Sequence, residues 1–522
     1  MILPSTKPGD NKVQISSGIQ IDQDMDEWSI KSDPGHKIRP NLIKTQGDSL
    51  TAKVSLTDCL ACSGCVTSAE TVLIQKHSTE QFMKLFDPSN FVVVAISPQS
   101  LASLSLFYNQ HNEVETFQKL QTVFTQLSAS MVIDLSMFNL LTLQMSYDEF
   151  KEQFTQSEKY NKIKSSLGQS DINQQQQTKQ PKKVFTQSKQ EPGIPILSSE
   201  CPGWVCYAEK VVGDQAFPFM SKVKSPQQLC GCLLKHYISL KNKISPDRVK
   251  IVTVMPCYDK KLEAVRPNFT LREDVGQENP DQEIKEVDTV LATHELVDLI
   301  NTYHPDFNKI DLYKWVKQED FLMKGSPSGW GFMELMEQFV DFCQDVKKLH
   351  TIAVLNMTSN GYLEYIFRRA AKEIFSINID PSQPLEYQQG KNKDLKECVL
   401  NVEGETVLKF SAAYGFRNIQ NVIRNIKRAK CEYDYVEIMA CPGGCLNGGG
   451  QIKPAQMNMS PKDLLENLEH QIKNMEYREL VPNPEENRNI YQLIQMMSLT
   501  YRDWEKTSFK AVEKEITHNI KW

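Results

Sequence analysis

Seven cysteines fall into two patterns whose chemistry is metal ligation. Asp58-Cys59-Leu60-Ala61-Cys62-Ser63-Gly64-Cys65 sets three thiols at Cys-x-x-Cys-x-x-Cys spacing. So short a loop lets Cys59, Cys62 and Cys65 face one centre, and Gly64 relaxes the backbone between two of them. Zinc and iron–sulfur clusters both take such thiolates. Three in a row favour a cluster, because structural zinc more often uses two separated Cys-x-x-Cys knuckles. Unligated thiols in a Cys-rich loop are the plainer alternative. A cubane needs four ligands, yet no cysteine precedes Cys59, and the only histidine upstream is His36, in Pro34-Gly35-His36-Lys37. Imidazole replaces thiolate on iron in some centres. His36 is therefore a candidate fourth ligand, with an exposed loop residue as its ordinary reading.

The second pattern is dispersed. Its parts are Ser199-Glu200-Cys201-Pro202-Gly203-Trp204, Met255-Pro256-Cys257-Tyr258-Asp259-Lys260-Lys261-Leu262-Glu263, and Ala440-Cys441-Pro442-Gly443-Gly444-Cys445-Leu446-Asn447-Gly448-Gly449-Gly450-Gln451. Each follows a strand candidate, and ligands in open α/β sheets collect at the carboxyl ends of strands. Pro or Gly beside each thiol fixes the loop. Taken together, Cys201, Cys257, Cys441 and Cys445 converge on one cubane, and Gly-rich backbone near Cys445 offers amide donors to sulfide. Taken singly, each reads as a buried structural thiol. Cys206, Cys230, Cys232, Cys343, Cys398 and Cys431 lack a ligand pattern and read as bystanders, mostly buried.

Elements that could hold such loops are legible. Strand candidates are Phe91–Ser97, Met131–Ser136, Ile194–Ser198, Val249–Met255, Val287–Ala292, Thr351–Asn356 and Tyr435–Met439, with helical stretches between them. Apolar strands alternating with helices predict α/β sheets covered on both faces. Residues 1–50 look irregular. Residues 157–193, with Gln174-Gln175-Gln176-Gln177, read as a disordered surface insertion that buries too little apolar surface to offset its ordering entropy. From about Pro482 the chain reads as helical segments ending at Trp522.

The chain has 522 residues, 40% of them hydrophobic, and 59 Lys plus Arg against 65 Asp plus Glu, a net charge of −6. Length alone gives a soft prior of three or four domains, and mild acidity argues against nucleic acid or an anionic membrane as main partner. The first residues lack the features of a signal or transit peptide, and no apolar run reaches the ~18 residues of a membrane span. A soluble, cytosolic chain is expected, and there thirteen cysteines point to metal or reduced thiols, not disulfides.

At these residues the chain resembles the iron-only hydrogenases and, more closely, the cytosolic iron–sulfur protein assembly factors of the Nar family. Hydrogenases hold their active cluster with three loops similar to those around Cys201, Cys257 and Cys441/Cys445. Asp58–Cys65, continuing Val66-Thr67-Ser68-Ala69-Glu70, is similar to the assembly factors' N-terminal motif, and Gly361–Arg368 to a shared segment. The resemblance covers roughly residues 50–155 and 194–522. It implies an α/β, two-lobed hydrogenase-like body: an N-terminal cluster segment over 1–85, a large-subunit-like region over 88–455, and a small-subunit-like helical region over 456–522. It implies two 4Fe-4S clusters, no catalysis, and a role linking early scaffold proteins to a targeting complex that serves cytosolic and nuclear client apoproteins.

Two departures stand out. Where hydrogenases carry a proton-relaying cysteine before the first ligand, this chain has Glu200. The assembly factors' cysteine upstream of the Cys-x-x-Cys-x-x-Cys run is missing. Trp522 resembles the tail by which such factors dock on the targeting complex, an aromatic anchor beside a free carboxylate; packing on the body is its ordinary reading. A hydrogenase-type redox enzyme and a zinc-stabilised interaction protein are the competing readings.

Overall fold

A computed structural model describes residues 74, 77–110, 113–166, 193–271, 283–312, 359, 361–380, 383–389, 392–474 and 506–510. Residues 1–58 and 59–522 form separate units, and every described residue belongs to the second. His36, Cys59, Cys62, Cys65, Cys343 and Trp522, and the strand candidate Thr351–Asn356, lie outside the described residues.

Among the described residues the strands are β1 Phe91–Ile96, β2 Met131–Asp134, β3 Ile196–Ser198, β4 Val249–Met255, β5 Thr289–Ala292, β6 Gln388–Gln389, β7 Leu395–Val402, β8 Glu405–Tyr414 and β9 Tyr435–Met439. They form two sheets, one ordered β2-β1-β4-β5 and the other β3-β9-β8-β7-β6. The first is parallel throughout. Its strands are short apolar runs because both faces are covered. Val93 and Ala95 of β1 pack toward the helix Pro226–Asn242, while Val92, Val94 and Ile96 pack toward the helices Pro98–Phe107, Glu113–Gln126 and Thr293–Tyr303. β1 ends at Ser97, whose side chain accepts from Ser100 N, and Pro98 opens the next helix.

The second sheet is mixed. β3, β9 and β8 run parallel, whereas β7 and β6 add antiparallel. β7 and β8 form a hairpin absent from the predicted strands. Val402 pairs with Glu405, so Glu403 and Gly404 make a two-residue turn, both at positive φ. The sequence signal was present: Cys398 and Leu400 point inward between more exposed neighbours. Glu-Gly is simply a weaker turn marker than Asn-Gly. β3 starts two residues later than predicted because Pro195 has no N–H to donate; pairing begins with Ile196 N to Asp434 O at 3.0 Å.

The helix Ser136–Gln156 serves both sheets. Phe138, Leu141 and Met145 pack on the parallel side, and Leu143, Tyr147, Phe150 and Phe154 on the mixed side. Two apolar stripes at helical spacing let one helix fill two cores. The stretch predicted to be disordered from residue 157 begins instead as the helix Glu158–Ser166. Ile163 is buried in the mixed-sheet core and Lys159 pairs with the buried Asp434 at 2.6 Å. One apolar anchor and one buried ion pair outweigh the polar composition there; residues 167–192 lie outside the described residues.

Past β9, the helix Pro461–Asn474 buries Leu464, Leu468 and Ile472 against Ala102 and Leu446. Residues 506–510 are strapped to the body: Thr507 N donates to Lys222 O at 2.7 Å, and Lys510 N to Glu209 Oε1 at 3.2 Å.

Candidate metal centre

Each dispersed motif sits at the carboxyl end of a parallel strand. Cys201 follows β3 and precedes the helix Pro202–Tyr207. Cys257 follows β4, ahead of the helix Asp259–Ala264. Cys441 and Cys445 follow β9, with Gly443 at positive φ turning the chain into the short helical turn Gly444–Asn447. Two ligands therefore share one loop, a third neighbours it in the same sheet, and the fourth comes from the other sheet.

Each loop touches the other two. Ser199 Oγ donates to Ile438 O and accepts from Cys201 N at 3.0 Å, which joins the first loop to β9. Ala440 N lies 3.5 Å from Cys201 Sγ, an amide aimed at a sulfur. The second and third loops meet where Gly450 N donates to Pro256 O at 2.9 Å. A β-carbon on Gly448 would stand 2.3 Å from Pro256 O, so a side chain there forces a shift of backbone, and one on Gly450 would stand 3.1 Å from the Cys257 Cα, a tight contact. The first and second loops meet at Gly203, where a β-carbon would lie 2.7 Å from Asp259 Oδ2. Prolines and glycines expected to shape the loops thus act as contact surfaces between them.

The electrostatics give the convergence a second witness. All four cysteines are free thiols. Burial pushes Cys201 up to about 11, with Asp259 adding to it. Burial raises Cys257 further, helped by Asp259, Cys201 and Cys441. Burial also raises Cys441, reinforced by Cys201 and Asp259, and Cys445, reinforced by Glu200, Cys201 and Cys257. Groups that repel one another's negative charge this way keep their protons unless positive charge is placed among them. Iron provides that charge when bound, and with bridging sulfide it supplies redox capacity. A single zinc would need its ligands ~2.3 Å from one point. Among the described residues no three His, Cys, Asp or Glu groups close around a single-ion position. Four buried thiols brought together from three loops are a donor set that suits iron with bridging sulfide.

Charged residues that composition would place outside line the second loop. All six residues of Asp259–Ala264 are buried. Lys260 Nζ reaches Glu263 Oε2 at 3.1 Å, and Ser225 and Gln227 also donate to that carboxylate. Lys261 Nζ binds both oxygens of Glu295 and the His77 carbonyl, all within 2.8 Å. Ser359 is a site residue that sequence reasoning missed: its Oγ accepts from Cys445 N at 2.8 Å. A lone serine in a polar stretch carries no signal of that contact. Glu200, the departure in the first motif, is 4% exposed and accepts from Cys445 Sγ at 3.7 Å. Cys206, Cys230, Cys232, Cys398 and Cys431 are buried or partly buried free thiols.

Residues 90–449 match the family model described as iron only hydrogenase large subunit, C-terminal domain. Among curated proteins the chain is 41% identical over 417 residues to Protein NAR1 of Arabidopsis thaliana, covering 80% of this chain and 77% of that protein. It is 34% identical to the probable cytosolic Fe-S cluster assembly factor narfl of Dictyostelium discoideum, covering 99% and 94%. The chain belongs to the NAR1/narfl family. The cytosolic iron-sulfur assembly component 3 of Bos taurus is 37% identical over 86% of this chain and 80% of that protein. Among solved structures, a variant of the FeFe-hydrogenase HydA1 from Chlamydomonas reinhardtii superposes with a TM-score of 0.58 at 19% identity, covering 83% of this chain and 98% of that one. The family's fold is therefore the iron-only hydrogenase fold, as the three loops implied.

Proposed function

We propose that the protein works in cytosolic iron–sulfur assembly and performs no hydrogen chemistry. It carries one 4Fe-4S cluster on Cys201, Cys257, Cys441 and Cys445, and a second on Cys59, Cys62 and Cys65 with His36 as the candidate fourth ligand. Its clients are extramitochondrial apoproteins of cytosol and nucleus. It links early scaffold proteins to a targeting complex, which Trp522 engages, and it needs neither nucleic acid nor membrane; among the described residues no helix is long and apolar enough to cross one.

One observation carries the choice between assembly and hydrogen chemistry. The Glu200 carboxylate is packed against Cys445 Sγ at 3.7 Å. In the hydrogenases that this chain resembles, the thiol at that position also bridges to a two-iron group. Here a carboxylate crowds that sulfur, and a thiol of ordinary pKa ~8.5 is replaced by an acid of ~4.3. The names borne by the relatives support the same reading. The test is hydrogen evolution by anaerobically reconstituted protein, with Glu200→Cys alongside. Background-level evolution is expected from the native chain, and sustained evolution above background overturns the proposal. Deleting Trp522 is expected to weaken co-purification of the targeting complex while iron content stays constant; undiminished co-purification removes the role given to the tail.

A further inference from the structure

On an acidic chain, one helix is wholly basic. Phe416–Lys427 and the residues after it carry Arg417, Arg424, Lys427, Arg428 and Lys430, with no acidic residue before Glu432. All five cations are exposed, and among the described residues none of them forms an ion pair. The opposite face is spoken for. Ile419, Val422 and Ile423 are buried in the mixed-sheet core, and Phe416 and Ile426 are partly buried against it. What remains outside is a ridge of cations interleaved with Gln420, Asn421 and Asn425, about 18 Å long at 1.5 Å per residue.

The base of this ridge is bolted to the cluster loops. Gly415 N donates to Met439 O at 2.8 Å, two residues before Cys441. Phe416 packs edge-on against Tyr207 with ring centres 5.0 Å apart, and Gln420 Nε2 donates to the Tyr207 hydroxyl at 3.4 Å. Tyr207 ends the helix that starts beside Cys201. A partner seated on the ridge therefore stands beside two of the three loops that hold the thiols.

We propose that this helix is the docking surface for an acidic segment of a partner protein, placing that partner next to the inner cluster. The inference rests on the assembly reading for its purpose but not for its chemistry. Lipid is disfavoured because the helix has no free apolar face to insert. Nucleic acid is disfavoured because the chain as a whole is net negative and the ridge carries no exposed aromatic for base stacking. An acidic protein segment meets the ridge by charge complementarity and gains orientation from its ends.

The test uses the full chain purified anaerobically with its iron. A fluorescent peptide of about ten alternating Glu and Asp residues is titrated at low and at physiological salt, beside a duplex DNA and anionic phospholipid vesicles. The peptide is expected to bind in a salt-sensitive way, and carbodiimide coupling is expected to join its carboxylates to Lys427 or Lys430. The triple variant Arg424→Glu, Lys427→Glu, Arg428→Glu is expected to weaken peptide binding at least ~tenfold with iron content unchanged. The control Lys84→Glu, Lys162→Glu, Lys164→Glu changes net charge equally at other exposed sites and is expected to bind as the native chain does. The proposal fails if the native chain ignores the peptide, if the control loses as much as the triple variant, or if DNA or vesicles bind more tightly. Client maturation is measured separately, so failure of the docking site and failure of the assembly role are told apart.

Discussion

The two sheets divide the work unequally. The parallel sheet is covered by helices on both faces and contributes one of the four thiols, Cys257. The mixed sheet contributes Cys201, Cys441 and Cys445 and carries the antiparallel hairpin on its far side. A cluster on these four residues would have three ligands on one sheet and one on the other. It would act as a cross-link between two otherwise complete cores, and metal ligation couples to folding in that way. The difference teaches where the chain would be vulnerable: the helix Ser136–Gln156 already packs into both cores, and loss of the lone ligand would remove the cluster's whole share in joining the sheets.

The largest effect should come from removing that lone ligand. Cys257→Ser is expected to cost more than about 4 kcal/mol, the range reached when a metal centre is lost. It should also split thermal unfolding into two transitions, one for each sheet. Unfolding that stays single and at the native midpoint would show that the sheets do not need the link.

A smaller effect separates the seam from the hairpin. Gly448→Ala places its β-carbon against the Pro256 carbonyl and should cost about 2–3 kcal/mol, as overpacking does, with partial loss of iron. Gly404→Ala, in the β7–β8 turn, meets nothing within 4 Å. It should cost about 1 kcal/mol from its positive φ alone, with full iron retained. Equal iron loss in both variants would erase the distinction between the two places.

An effect absent at neutral pH concerns His77, at the edge of the parallel sheet. Its Nδ1 accepts from Val290 N at 3.1 Å, and burial, with Lys261 adding to it, lowers its pKa to about 4. The unfolded chain titrates near 6.5. A depressed pKa means that the stabilising contribution is complete above 6.5 and is lost as pH falls from there toward 4. Native protein should therefore lose stability relative to His77→Gln across that window, measured as denaturation midpoints from pH 7 to pH 4. Parallel curves for the two proteins would contradict it.

How much of this was legible varies by region for physical reasons. The parallel sheet was readable because strands buried on both faces are unbroken apolar runs, and β1 and β4 stand nearly where the sequence puts them. The placement of Cys201, Cys257 and Cys441 just past strand ends was readable because each follows such a run beside Pro or Gly. The hairpin was missed because its faces differ in burial and its turn is marked only by Glu403-Gly404. In the helix Asp259–Ala264, Lys260 and Lys261 are buried and paired with Glu263 and Glu295, and the latter lies some thirty residues away along the chain. Partners distant in sequence leave no local trace, and the same holds for Ser359 at Cys445.

Iron and acid-labile sulfide content of anaerobically purified protein, native and Cys257→Ser side by side, tests the account most directly. Two cubanes predict about eight irons with matching sulfide in the native chain and about four in the variant. Zinc in place of iron, or equal iron in both proteins, would contradict a cluster held by these four thiolates.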